Sequence, residues 1–115
     1  MRDIRELALN IARILSQKGA EKVQVIDIRE SSVIADYFVV CGGRSGVQVK
    51  ALSDEVEDRL EEEGTTVLRK EGYQPGRWIV LDYGDILVHI FLNEEREFYD
   101  IERLWVTGDN LIDIE

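Results

Sequence analysis

Few side chains in this sequence have reactive chemistry at hand: there is one histidine, His89, and one cysteine, Cys41. A zinc site needs three or four ligands drawn from Cys, His and carboxylates. Neither C-x-x-C nor H-x-x-x-H spacing occurs, and His89 with Asp82 or Asp85 falls short of a set. A Cys-His nucleophile pair requires Cys41 beside His89. Cys41 follows the apolar run Tyr37-Phe38-Val39-Val40, so it is expected to be buried and inert. The most serious enzymatic reading is nucleotidyl transfer. Gly42-Gly43-Arg44-Ser45, at a strand-to-helix turn, offers backbone N–H groups to a phosphate, and Asp82 and Asp85 offer carboxylates to a metal. Enzymes of that kind follow the Gly-Ser turn with a short helix and an Asp-x-Asp strand. Here a long helix runs to Gly64, and the next strand, 66–70, contains no acid. The catalytic reading fails on spacing, and no catalytic, metal-binding or cofactor-binding residue is assigned.

The elements that position these residues are legible from periodicity. Ile4, Leu7, Ala8, Ile11, Ile14 and Leu15 share one face of a helix over 4–18, opened by Asp3 and Glu6 and closed by Gly19. A strand is expected over 23–28, and a second over 36–41 whose continuous apolar run suits a central position covered on both faces. Ser45 and Gln48 form a capping box for a second helix, with Val49, Leu52, Val56 and Leu60 as its buried stripe. Its other side carries Asp54, Glu55, Glu57, Asp58, Glu61, Glu62 and Glu63, either a solvated face or a docking surface. After an edge strand over 66–70 and the loop Gly72-Tyr73-Gln74-Pro75-Gly76 come strands over 77–82 and 85–92, a helix over 95–105, and a tail over 106–115. The order α-β-β-α-β-β-β-α implies an α/β fold, a mixed sheet of about five strands with helices packed on it.

Strands 77–82 and 85–92 flank Tyr83-Gly84, which reads as a two-residue hairpin turn. In that register Asp82 faces Asp85, Leu81 faces Ile86, Val80 faces Leu87, Ile79 faces Val88 and Trp78 faces His89. Paired residues share a side of the sheet and sides alternate along each strand. One face is then aliphatic: Ile79, Leu81, Ile86, Val88, Ile90 and Leu92. The other carries Trp78, Val80, Asp82, Asp85, Leu87, His89 and Phe91, where a merely solvated face would show Lys, Thr and Glu. Aromatic anchors ringed by polar groups are the composition of interface hot spots. Two readings stand: a docking patch, or a surface beneath the C-terminal helix with His89 as a core residue. In that helix Phe98, Ile101 and Trp105 fall at i, i+3 and i+7; Phe98 and Ile101 are expected in the core and Trp105 in the core or at the patch margin. Tyr99 and Glu102 project at another angle and are candidates to flank a patch.

At 115 residues the chain is expected to form one domain, over 1–105, with a core large enough to need no staples. A single cysteine excludes an internal disulfide and fits a reducing compartment. No run approaches the ~20 apolar residues of a membrane span, and the N-terminus turns amphipathic at once, so a cytoplasmic location is expected. Twenty-four acidic against fourteen basic residues give a net charge of −10. Such a surface repels phosphate backbones, and two readings of it stand: it favours a basic protein partner over direct nucleic-acid binding, or the acids only keep the domain soluble.

Several segments together resemble a known family. They are Ala35-Asp36-Tyr37-Phe38-Val39-Val40-Cys41, then Ser45 and Gln48-Val49, Trp78, the block Asp82-Tyr83-Gly84-Asp85-Ile86-Leu87-Val88-His89-Ile90-Phe91, and Phe98-Tyr99-Asp100-Ile101-Glu102-Arg103-Leu104-Trp105. In this order they resemble the ribosomal silencing factor family, also called Iojap or RsfS, over residues 25–105. The family usually shows Ser-Gly-Thr-Ser where this chain has Gly42-Gly43-Arg44-Ser45, and the tail follows no family pattern. The resemblance implies a nucleotidyltransferase-like topology without the activity. It implies binding to the large ribosomal subunit through its ribosomal protein number fourteen, a steric block to joining of the small subunit, and repressed translation under nutrient limitation. It makes a homodimer of the free protein plausible. The expected docking face is Trp78, Asp82, Asp85 and His89, edged by Tyr99, Glu102 and Trp105.

Overall fold

A computed structural model describes residues 3–114. Helix α1 (Ile4–Gln17) starts at Asp3, whose side chain accepts from the Arg5 N–H, and ends at Lys18 before Gly19. Its apolar face, from Leu7 to Leu15, is buried against the sheet, and full burial of each Leu or Ile stabilises by roughly 1.5–3 kcal/mol. Strands β1 (Glu21–Asp27) and β2 (Tyr37–Gly43) are antiparallel, and every residue of β2 is buried, as its unbroken apolar run predicts. In helix α2 (Gly46–Glu62) the Ser45 hydroxyl accepts from the Gln48 N–H at 3.1 Å, while the Gln48 side chain reaches back to the Arg44 N–H at 2.6 Å. The stripe Val49, Leu52, Val56 and Leu60 is fully buried.

The chain continues through β3 (Arg69–Glu71), β4 (Trp78–Asp82) and β5 (Ile86–Leu92), then the short helices α3 (Asn93–Tyr99) and α4 (Ile101–Trp105), and β6 (Leu111–Ile112). The sheet order is β3-β4-β5-β2-β1-β6; β2 and β5 run parallel and the other neighbours antiparallel. One face is packed by α1 and α2. On the other a smaller cluster of Ile26, Ile28, Ala35, Phe38, Val40 and Phe91 is joined by Ile101, Trp105 and Val106. The fold is thus a mixed α/β sheet with helices on it, as expected, but with six strands. The additional strand comes from the segment read as a tail. There Leu111 and Ile112 pair with Ile26 and Val25, and Asn110 donates from its side chain to the carbonyls of Asp27 and Trp105.

Two expectations are corrected. The hairpin turn is Gly84-Asp85, not Tyr83-Gly84: the Tyr83 N–H donates to the Ile86 carbonyl at 2.9 Å, and Asp82 pairs with Leu87, Val80 with His89 and Trp78 with Phe91. Gly84, at φ +91°, takes the first loop position, where the positive φ is needed. Asp82 therefore does not face Asp85. Each residue's partner moves by two, an even number, so the assignment of residues to faces is unchanged. The C-terminal helix is also not continuous. Asp100 adopts the left-handed conformation (φ 47°, ψ 53°) and divides it into α3 and α4.

Candidate functional site

The hairpin face divides into a covered and an open half. On β5, Phe91 and His89 are buried; on β4, Trp78, Val80 and Asp82 are half-buried, as is Leu87 next to the turn. The cover comes from α4 and the segment after it, which lie over β2 and β1: the Trp105 ring meets Phe38 edge-on, with centroids 5.1 Å apart. The Trp78 indole stacks on Phe91 at 4.7 Å and lies 4.8 Å from Tyr99. Its Nε1–H donates to His89 Nδ1 at 3.2 Å. Phe38 meets the far side of the imidazole edge-on at 4.6 Å. Accepting at Nδ1 requires the neutral ring with its proton on Nε2. Burial favours that form and pushes the His89 pKa down to about 4.

The expected site residues thus separate into three groups. Trp78 and Tyr99 form one aromatic surface, with Asp82 on the same strand as Trp78. Asp82 accepts from the Gly84 N–H at 2.8 Å, fixing the turn, and Asp85 is exposed at its tip while its carbonyl accepts from the Asp36 and Tyr37 N–H groups. His89 lies beneath this surface and Trp105 at its covered margin. Glu102 is turned away: it binds the Nε of Arg96 at 2.8 Å. Arg96 is 8% exposed, and its other nitrogens donate to the carbonyls of Glu21 and Lys22, where β1 departs from regular pairing. Glu102 therefore neutralises a buried guanidinium.

Phe98, expected in the core, is 79% exposed. The break at Asp100 puts α3 and α4 out of phase, so the i, i+3, i+7 stripe never forms one face. Ile101 and Trp105 pack inward, while Phe98 stands outward with its ring 5.0 Å from that of Tyr99. Leu104, on α4, is 77% exposed. Phe98 is an addition to the candidate surface that periodicity missed; the one sequence signal available was Asp100, a residue type that tolerates the left-handed region.

Cys41 is fully buried, and burial pushes its thiol up to about 12, which removes it as a nucleophile. The nucleotidyl-transfer constellation is split. Gly43 pairs with Leu92 and Tyr37 with Ile86, so the turn after β2 and the acids of the hairpin turn lie at opposite ends of β5, about 20 Å apart at the rise of a strand. The Arg44 N–H is moreover occupied by Gln48. Among the described residues, no group of three or more His, Cys, Asp or Glu could hold a metal ion, and no helix is long and apolar enough to cross a membrane. A polar cleft of about 500 Å³ lies elsewhere, between Asp27, Arg29, Thr107 and Asn110, and brings in none of the aromatic residues.

Fold and site together describe an α/β domain whose distinctive surface is a partly open aromatic face, not a convergence of reactive groups. The chain matches the family described as ribosomal silencing factor during starvation over residues 1–115. A ribosomal silencing factor of Bacillus subtilis is 39% identical over 94 residues, 82% of this chain and 80% of that protein. A crystal structure of a Chromobacterium violaceum protein superposes with a TM-score of 0.88 at 29% identity, covering 98% of this chain and 96% of that one. A more distant relative is the mouse protein named for mitochondrial assembly of the ribosomal large subunit, 28% identical over 83% of this chain and 43% of its own length. This chain belongs to the ribosomal silencing factor (RsfS) family.

Proposed function

We propose that this protein binds the large ribosomal subunit through its ribosomal protein number fourteen. Seated there, it occupies the surface that the small subunit must reach, and so represses translation by steric exclusion rather than by catalysis. The observation that carries the reading is the half-open hairpin face. Trp78, Val80, Leu87 and Tyr99 offer a contiguous apolar surface rimmed by Asp82 and Asp85, on a chain of net charge −10. Aromatic anchors inside an acidic rim suit a basic protein within a ribonucleoprotein particle, and the chain's overall charge disfavours direct contact with the RNA. The names of the relatives support the partner: they speak of ribosome silencing and, for the mouse protein, of large-subunit assembly.

Co-sedimentation with purified subunits tests it. The unsubstituted protein is expected to pellet with large and not with small subunits. Trp78→Ala and Asp82→Lys, each verified as folded by circular dichroism, are expected to lose at least tenfold in affinity, the loss typical of an anchor residue or of a reversed charge facing a basic partner. Undiminished binding by both folded variants overturns the placement of the docking face.

A further inference from the structure

An anchor that must be ordered at the moment of docking weakens binding, because freezing a mobile side chain costs entropy. Trp78, on a half-buried strand surface, is ordered before any partner arrives. Stacking on Phe91 and packing beside Tyr99 fix the plane of its ring, but plane contacts alone leave open which edge points inward. The hydrogen bond from its Nε1–H to His89 Nδ1 decides that. His89 is itself immobile: it is 7% exposed, directly paired with Val80 and Val40 on the neighbouring strands, and flanked by Phe38. The arrangement has a cost. With Nδ1 accepting, the imidazole proton sits on Nε2, which is buried and has no hydrogen-bond partner among the described residues. A buried unpaired donor destabilises, so an apolar residue here would suit stability alone better than histidine does. What histidine adds is one correctly placed acceptor for the indole.

We propose that His89 is a positioning residue for docking: it touches no partner, and it holds the Trp78 indole in the one orientation that presents its outer edge and face to the large subunit. This rests on the docking reading given above. It assigns to His89 a role different from the direct contact expected from the sequence.

The chain has a single histidine, so its ¹⁵N signals are unambiguous. In the unsubstituted protein at neutral pH they are expected to show the Nε2-protonated tautomer, with Nδ1 accepting from the Trp78 indole N–H. An Nδ1-protonated ring overturns the proposal, and this measurement needs no variant to fold. A double-mutant cycle on affinity for purified large subunits supplies the functional arm. His89→Phe is expected to weaken binding about tenfold, and to cost less than about twofold once Trp78→Phe has removed the indole N–H. His89→Asn, whose amide oxygen can stand near the position of Nδ1, is expected to recover most of the affinity. Equal losses from His89→Phe in both backgrounds, or no loss in either, overturn the proposal. If folded Trp78→Ala binds as well as the unsubstituted protein, the docking reading itself has failed. If Trp78→Ala loses binding while His89→Phe does not, positioning alone has failed.

Discussion

His89 is kept neutral by burial, and that ties the stability of the fold to pH. Its folded pKa, about 4, lies below the ordinary value of 6.5, so the unfolded chain takes up a proton that the folded chain refuses. The contribution is complete above pH 6.5 and is lost as pH falls through the interval down to about 4, amounting to about 3 kcal/mol at its full extent. Urea unfolding at pH 7, 5.5 and 4 is expected to show this loss, beyond what the carboxylates add, and His89→Phe is expected to flatten it over that interval. An identical pH slope in the variant contradicts the assignment. The chemistry of single residues is only partly legible in the sequence. Cys41 is, because an unbroken apolar run leaves little choice but burial. His89 was placed on the right face, since its position follows from strand alternation. Its depth was not, because depth depends on how far α4 reaches across the sheet.

At the scale of elements, the two short C-terminal helices decide how much of the hairpin face stays open. Their junction at Asp100 is secured by the pair Arg96–Glu102, at 2.8 Å, with Arg96 also holding two carbonyls of β1. Removing the carboxylate leaves a buried guanidinium without its counter-charge, although the carbonyls remain. Glu102→Ala is therefore expected to destabilise the fold by about 2 kcal/mol, read as a lower midpoint in chemical denaturation. Binding by the fraction that stays folded is expected to be nearly unchanged, which a direct contact between Glu102 and the partner would contradict. Helices α1 and α2 could be read almost to the residue, because caps and a 3.6-residue stripe are local signals that tertiary packing reinforces. The break at Asp100 had no such signal: residues 95–105 read as one helix by spacing, and a left-handed aspartate differs from a helical one only in its surroundings. The hairpin register erred for a related reason. Gly84 fits either position of a two-residue turn by composition, and the positive φ falls at the first. Strand β6, two residues long, exists only through its pairing with β1 and is invisible to periodicity.

Across the whole molecule, the acid-rich helix α2 and the aromatic surface around Trp78 lie on opposite sides of the sheet. The densest stretch of acid, Asp54 to Glu62, lies on α2, on the face of the sheet away from Trp78, where it solvates the helix and forms local pairs such as Glu57 with Lys70 at 2.9 Å. The hairpin half left open by α4 is where apolar surface and carboxylates meet, and docking requires that half to be free. The most direct measurement is subunit joining, followed by light scattering, as purified large and small ribosomal subunits are mixed after the large subunits have been incubated with the protein. The unsubstituted chain is expected to suppress joining in proportion to its occupancy of the large subunit, and folded Trp78→Ala at the same concentration to leave joining intact. Suppression of equal strength by Trp78→Ala, or undiminished joining with the unsubstituted protein bound, would contradict the proposed mechanism.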